Sequence, residues 1–145
     1  MSSHLKPRVG HMEQVEIDWT PRCDDDTLPA NAAIRHWSTQ LLNAMDGFDR
    51  PLRINVDLTK RRLAEAGFVD IKEETIPFPI NGWRGDEKER DIGRWFNLAF
   101  VQGLEGLSLA PLFRGHNMSP GEIRALLEDV NKDCRATKMH TYMRL

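Results

Sequence analysis

His140 and Tyr142 lie two residues apart near the end of the sequence, a spacing that in a strand sets both side chains on one face. A histidine so placed can serve as a general base near neutral pH, because imidazole ordinarily titrates close to 7. The competing expectation is an edge histidine satisfied by a neighbouring polar group. A second constellation lies upstream on a helical pattern. At about 100° per residue, Arg90, Arg94, Asn97, Glu105 and Ser108 share an arc of about 80°, a single polar stripe on an otherwise apolar segment. Glu105 supplies a second candidate acid or base. Two readings of the stripe stay open: it lines a cavity, or it pairs internally, Arg94 with Glu105 or with backbone, to satisfy polar groups removed from water.

Other chemistries fit poorly. The run Asp24-Asp25-Asp26 lacks the glycine and the distal glutamate of a calcium loop and reads as a solvated loop. His4, His11, His36, His116 and His140 show no i, i+4 pair and no cysteine partner, so no metal site is expected. Cys23 and Cys134 lack CxxC spacing and are expected as reduced thiols. Asn117-Met118-Ser119 matches a glycosylation triplet, but Pro120 follows and Ser119 reads as a helix cap. Nucleophile-elbow, P-loop and GxG patterns are all absent from the 145 residues. Twenty basic against 22 acidic residues leave a formal charge of −2, which offers no field for a phosphate backbone, so nucleic acid is not an expected partner. Lys60-Arg61-Arg62 sits in a helical pattern and reads as a solvated face. No run approaches the ~18 apolar residues of a membrane span, and the first residues lack a signal-peptide core. An intracellular protein, cytoplasmic or nuclear, without membrane attachment, is expected.

These residues need elements to position them, and one domain over 1–145, with 1–11 as a flexible leader, is expected from length and composition. Alternation in Val15-Glu16-Ile17-Asp18-Trp19 predicts a half-buried strand, and prolines with the aspartate run predict a loop from Thr20 to Asn31. Ile34, Trp37, Leu41, Leu42, Met45 and Phe48 recur at helical spacing, ending near Gly47. Asn55 or Asp57 can cap a second helix that Gly67 stops. Phe68 to Ile76 reads as a strand ended by Pro77 and Pro79, and Asn81–Gly85 as a loop. The stretch Ile92–Phe113 is apolar nearly all round and predicts a helix buried on most sides, with Gly103 and Gly106 marking a break or a close backbone approach. Ser119, Pro120 and Glu122 spell a capping box for a helix with Ile123, Leu126, Leu127 and Val130 as its apolar stripe. A final strand is expected over Met139–Leu145.

The order of these elements resembles the second half of a class I methyltransferase of the fungal LaeA-like type. The resemblance is carried by Ile92-Gly93-Arg94-Trp95-Phe96-Asn97-Leu98, by Gly103-Leu104-Glu105-Gly106-Leu107-Ser108-Leu109, by Asp18-Trp19-Thr20-Pro21-Arg22, by Ala66-Gly67-Phe68-Val69-Asp70-Ile71, and by His140-Thr141-Tyr142. It implies an α/β, Rossmann-like fold. In full-length relatives it implies S-adenosylmethionine, held at the ends of the first strands by a glycine-rich turn. That turn has no counterpart in this sequence, and Arg8-Val9 intervene where relatives show glycines directly after Leu5-Lys6-Pro7. The expectation is a partial sheet without its first strands, completed by homodimerisation, by a partner protein or by rearrangement, and no cofactor held by this chain alone.

Under the resemblance the stripe residues Arg94 and Asn97 become candidates for substrate contact, together with Tyr142 and the apolar side chains Trp83, Trp95, Phe96 and Phe100; His140 and Glu105 remain the candidate catalytic pair. The implied function is a LaeA-like protein of fungal secondary metabolism that does not methylate on its own. Two alternatives stand beside it. A cyclase or isomerase would hold a polyketide- or terpenoid-like natural product in an apolar pocket, and half of a split methyltransferase would meet its cofactor half as a separate chain.

Overall fold

The computed structural model describes Leu5, Lys6 and residues 8–145, so residues 1–4 and Pro7 of the expected leader, His4 among them, lie outside the described residues. Seven elements follow in order: β1 (Asp18–Arg22), α1 (Ala33–Gly47), α2 (Val56–Glu65), β2 (Pro77–Pro79), α3 (Glu87–His116), α4 (Pro120–Arg135) and β3 (Tyr142–Arg144). The strands form one sheet in the order β1-β3-β2, with both pairings antiparallel. β1 and β2 are therefore parallel to each other, joined through α1 and α2, and the last strand slots between them. This is an α/β protein of four helices and a small three-stranded sheet among the described residues.

The strands depart from the expected ones, for reasons visible in the backbone. β1 begins at Asp18, not near Val15, which is exposed, and it runs on through Pro21 into the expected loop. As an edge strand with an irregular register between Asp18 and Arg22, it tolerates a proline whose missing N–H leaves no ladder bond unmade. The second strand contains the prolines expected to end it. Ile76 and Leu145 exchange backbone hydrogen bonds, at 3.1 and 3.0 Å, and Ile80 N–H donates to the Thr141 carbonyl at 3.2 Å. By alternation, Pro77 and Pro79 occupy the positions whose N–H groups would point away from β3, where nothing is lost. Phe68–Ile76 forms no strand; Asp70 has φ of 54° and Val69 is exposed.

The helices follow the sequence closely. α1 buries Ile34, Trp37, Leu41 and Leu42 and ends at Gly47. Its N-terminus has no local side-chain cap; instead Asp133 of α4 accepts from the Ile34 N–H at 3.0 Å, so α4 supplies the cap that α1 lacks. Asn55 caps α2 through the Leu58 N–H at 3.0 Å, and Gly67, at φ of 90°, takes the left-handed turn that stops it. Lys60 pairs with Glu73 at 2.7 Å while Arg61 and Arg62 are exposed, as expected of a solvated face. The Ser119–Glu122 capping box forms in full, and α4 buries Ile123, Leu127, Val130 and Cys134.

α3 is the main correction. It runs for 30 residues, from the Asp86 cap to a left-handed Asn117, straight through Gly103 and Gly106. Both glycines are exposed, and an added Cβ would meet nothing within 4 Å, so they mark neither a break nor a close approach. The close approaches belong to Gly93, packed on the Asn81 backbone and Pro79, and to Gly115, packed on Ala44 of α1. Nor is the helix buried on most sides. Trp95 is 72% exposed, Phe113 53%, Leu98 49% and Ile92 44%. The residues turned inward are Gly93, Phe100, Leu104, Ser108 and Leu112.

The core lies where α1, α3 and α4 pack on one another and on the sheet. Its centre is aromatic. Phe100 stacks on Trp19 at 5.9 Å and on Phe96 at 5.7 Å, and meets the edge of Trp37 at 5.2 Å. Each such side chain contributes about 2–3 kcal/mol on leaving water. Trp37 also brings a polar group inward, and its Nε1–H donates to Ser108 Oγ at 2.8 Å, while that hydroxyl donates to the Leu104 carbonyl at 2.5 Å. No helix of the described residues is long and apolar enough to cross a membrane.

Candidate functional site

The best-formed polar constellation centres on Asp25 and His140, 115 residues apart. β1 ends at Arg22 beside β3, so the loop that follows it lies against the approach to β3. Within that loop Asp25 Oδ1 accepts from Cys23 Sγ at 3.0 Å, from Thr27 Oγ1 at 2.7 Å and from the Thr27 N–H at 3.2 Å. Its other oxygen meets His140 Nδ1. Thr27 Oγ1 also accepts from the His140 backbone N–H at 2.8 Å, so the loop grips both the main chain and the ring of one residue. Tyr142, buried two residues on, donates its hydroxyl to Asp24 at 2.8 Å. The shared face expected for His140 and Tyr142 is thus the face that meets the aspartate run, although His140 precedes β3 itself.

Trp83 closes the other side. Its Nε1–H donates to the Thr141 carbonyl at 2.9 Å, its ring stacks on His140 with centroids 4.6 Å apart, and the Arg84 guanidinium lies 4.3 Å from its ring centre. The donors around Asp25, the Cys23 thiol first and then Thr27 and His140, hold its carboxyl well below the usual aspartate range. In a neutral ring, donation of Nδ1–H to an ionised Asp25 would place the lone pair on Nε2, the tautomer a general base needs. Cys23 spends its thiol on Asp25 and Thr27 and makes no hydrogen bond with the imidazole, so the cluster is no Cys–His nucleophile pair. Burial, helped by Asp133, pushes the Cys134 thiol up to about 12, which makes it inert.

The remaining candidates are dispersed. Asn97 is structural glue: its Nδ2 donates to the carbonyls of Ile80, at 2.9 Å, and Cys134, at 2.8 Å, tying α3 to the end of β2 and to α4. Arg94 pairs with Asp91 at 3.2 Å, not with Glu105, which lies eleven residues or about 16 Å further along the helix. Glu105 is exposed on a shallow groove between α3 and α4, of about 220 Å³, whose lining includes Arg124 and Glu128 but not His140. Phe100 and Phe96 fill the core, Trp95 stands on the outer side of α3, and Trp83 sits against His140. The structure therefore gathers Trp83, His140 and Tyr142 but does not bring Arg94, Trp95, Asn97, Phe100 or Glu105 to them. Sequence reasoning missed Cys23, Asp24, Asp25 and Thr27, since no periodicity links residue 25 to residue 140. Among the described residues no group of three His, Cys, Asp or Glu side chains is placed to hold a metal.

No family model matches the chain, and no solved structure matches it. Curated proteins do. Over 139 residues, 96% of this chain, it is 46% identical to the protein-methionine methyltransferase laeA of Chaetomium globosum and 40% identical to the secondary metabolism regulator laeA of Gibberella zeae. Over 141 residues it is 40% identical to the secondary metabolism regulator LAE1 of Cochliobolus heterostrophus. Over nearly its whole length the chain is similar to LaeA/LAE1 proteins. The chain spans 44 to 46% of the length of these relatives.

The resemblance to a methyltransferase implies S-adenosylmethionine, and the described residues do not fit it. Such a cofactor rests on a glycine turn at the carboxyl ends of adjacent parallel strands. Every strand pairing among the described residues is antiparallel. Two loop glycines are filled from within the chain: a Cβ on Gly82 would meet the side chains of Arg90 and Arg94, and one on Gly10 would meet Leu5 and Lys6.

Proposed function

We propose that this chain is the substrate-side segment of a LaeA-like regulator of fungal secondary metabolism and that it transfers no methyl group by itself. The observation that carries this reading is the combination of 40 to 46% identity over nearly the whole chain with a sheet that offers no cofactor crevice. Its role is to present a rigid face to a cofactor-binding segment and its target. The Asn97 bridge, the Asp133 cap on α1 and the Asp25–His140 clamp support that role, because each ties together elements distant in sequence.

Two measurements test it. Isothermal titration of S-adenosylmethionine into the isolated chain is expected to show no binding, and tight binding would overturn the proposal. Mixing the chain with the cofactor-binding segment of the Chaetomium globosum relative is expected to restore transfer of a labelled methyl group, where neither piece is active alone. The dyad of Asp25 and His140 is the one geometry that favours the cyclase or isomerase reading. It adjoins Trp83, not an apolar cavity, so a substrate would have to bind on the surface. Equal turnover of candidate natural products by the parent and by His140→Ala would remove it from any mechanism.

A further inference from the structure

Between α1 and β2 the chain makes an excursion that carries α2 and is pinned at each end. On one side Leu52 packs against the core, and Arg53 donates to Asp46 Oδ2 and Asn43 Oδ1 of α1, both at 2.8 Å. On the other side Ile76 and Leu145 exchange their two backbone hydrogen bonds. Between those pins no residue is buried, and α2 packs on no other helix or strand among the described residues.

The polar bonds of the excursion close within it. Asn55 accepts from the Leu58 N–H, the Phe68 N–H donates to the Leu63 carbonyl at 3.0 Å, and Lys60 pairs with Glu73 at 2.7 Å. Among the described residues, no side chain or backbone group from Asn55 to Thr75 makes a hydrogen bond or ion pair with the rest of the chain. Val56, Leu58, Leu63, Phe68 and Ile71 are half-buried, yet none of them is among the side chains packed on the core. Ile54 and Val69 are exposed outright.

A helix of ten residues is marginal in water unless another surface packs on it. α4, with 16 residues, has that support and buries four of them. α2 has only its cap, its glycine stop and one exposed ion pair, a kind of contact that adds little. Opening it breaks no contact of the core, so its opening equilibrium is set locally and lies far below that of global unfolding.

We infer that residues 54–75 form a strap that unfolds and refolds independently of the body, an order–disorder element built into the crossover between the parallel strands β1 and β2. It changes conformation without disturbing the aromatic core or the Asp25–His140 cluster, since it touches neither through any polar bond or core contact. The inference is independent of the functional reading above, because it rests only on how this segment is held.

Hydrogen exchange read by mass spectrometry tests it. Amides of α2 are expected to be protected by a factor of roughly 100 or less, and those of α1 and α4 by roughly 10,000 or more. Asn55→Ala is expected to speed exchange across α2 about fivefold while leaving the melting temperature unchanged, whereas Ser119→Ala, the same kind of cap on the packed helix α4, lowers it. Replacing residues 54–75 by a glycine–serine linker of equal length is expected to keep the near-ultraviolet circular dichroism of the aromatic core and a melting temperature within roughly 3 °C of the parent. Protection of α2 equal to that of α1 and α4 overturns the inference. So does a fall in melting temperature for Asn55→Ala that matches Ser119→Ala, or loss of the folded body on replacing the strap.

Discussion

Gly93→Ala sets helix propensity directly against packing. On propensity alone, replacing a mid-helix glycine by alanine stabilises by about 1 kcal/mol. Gly93, however, is where α3 lies against the chain leaving β2. A Cβ there would sit 2.7 Å from the Asn81 carbonyl carbon and 3.0 Å from Pro79 Cγ, and closer still to the Asn81 oxygen. Relieving that clash requires a shift of roughly 1 Å, at an overpacking cost of about 1–3 kcal/mol. One turn further on, Asn97 donates to the Ile80 and Cys134 carbonyls at 2.9 and 2.8 Å, and the same shift carries both bonds beyond good geometry, at about 1 kcal/mol each. The net expectation is a loss of about 2–4 kcal/mol. For a chain of this length, at about 3 °C per kcal/mol, melting falls by about 6–12 °C. Differential scanning calorimetry with urea titration measures it, and Gly103→Ala, on the open face of the same helix, is the control, expected to gain about 1 kcal/mol. The packing argument is wrong if the two alanine variants move in the same direction.

Four further outcomes are expected. Ser108→Ala leaves the buried Trp37 indole N–H without its acceptor and should cost about 1–3 kcal/mol in urea titration. Ser119→Ala removes one arm of the capping box on α4 and should cost about 1 kcal/mol, or about 3 °C by calorimetry. Because Asp25 has a folded pKa below its ordinary 3.8, its contribution to stability is complete above that value and is lost as pH falls from there toward the folded pKa; Asp25→Asn should flatten that acid limb in pH-dependent melting. Of the two thiols, Cys134 is buried and held at a pKa of about 12, so a thiol reagent at neutral pH should modify Cys23 alone in the native protein and both thiols in denaturant.

The helices were legible because their signals are local. The apolar spacing from Ile34 to Leu42, the Asn55 cap with its Gly67 stop, and the Ser119–Glu122 box each lie within one or two turns, and each appears in place. The strands were legible only roughly, because a short edge strand is defined by which N–H groups its neighbour needs. That requirement lets Pro21, Pro77 and Pro79 stand inside strands where propensity forbids them. The candidate site was half legible. His140, Tyr142 and Trp83 were identified by residue type, but their partners Asp24, Asp25 and Thr27 read as ordinary solvated loop residues until β1 and β3 paired.

The sequence by itself determined the resemblance to LaeA/LAE1 proteins and the helices α1, α2 and α4 with their caps and stops, since these are properties of residue order and spacing. Only the tertiary structure decided which side of α3 faces inward. Apolar residues nearly all round α3 left its facing open in the sequence, and the structure turns inward two members of its polar stripe: Ser108, which meets Trp37, and Asn97, which reaches the Ile80 and Cys134 carbonyls. Satisfying those buried polar groups left Trp95 and Phe113 facing outward, because the cost of an unpaired polar group in the core is comparable to that of leaving an aromatic ring in water.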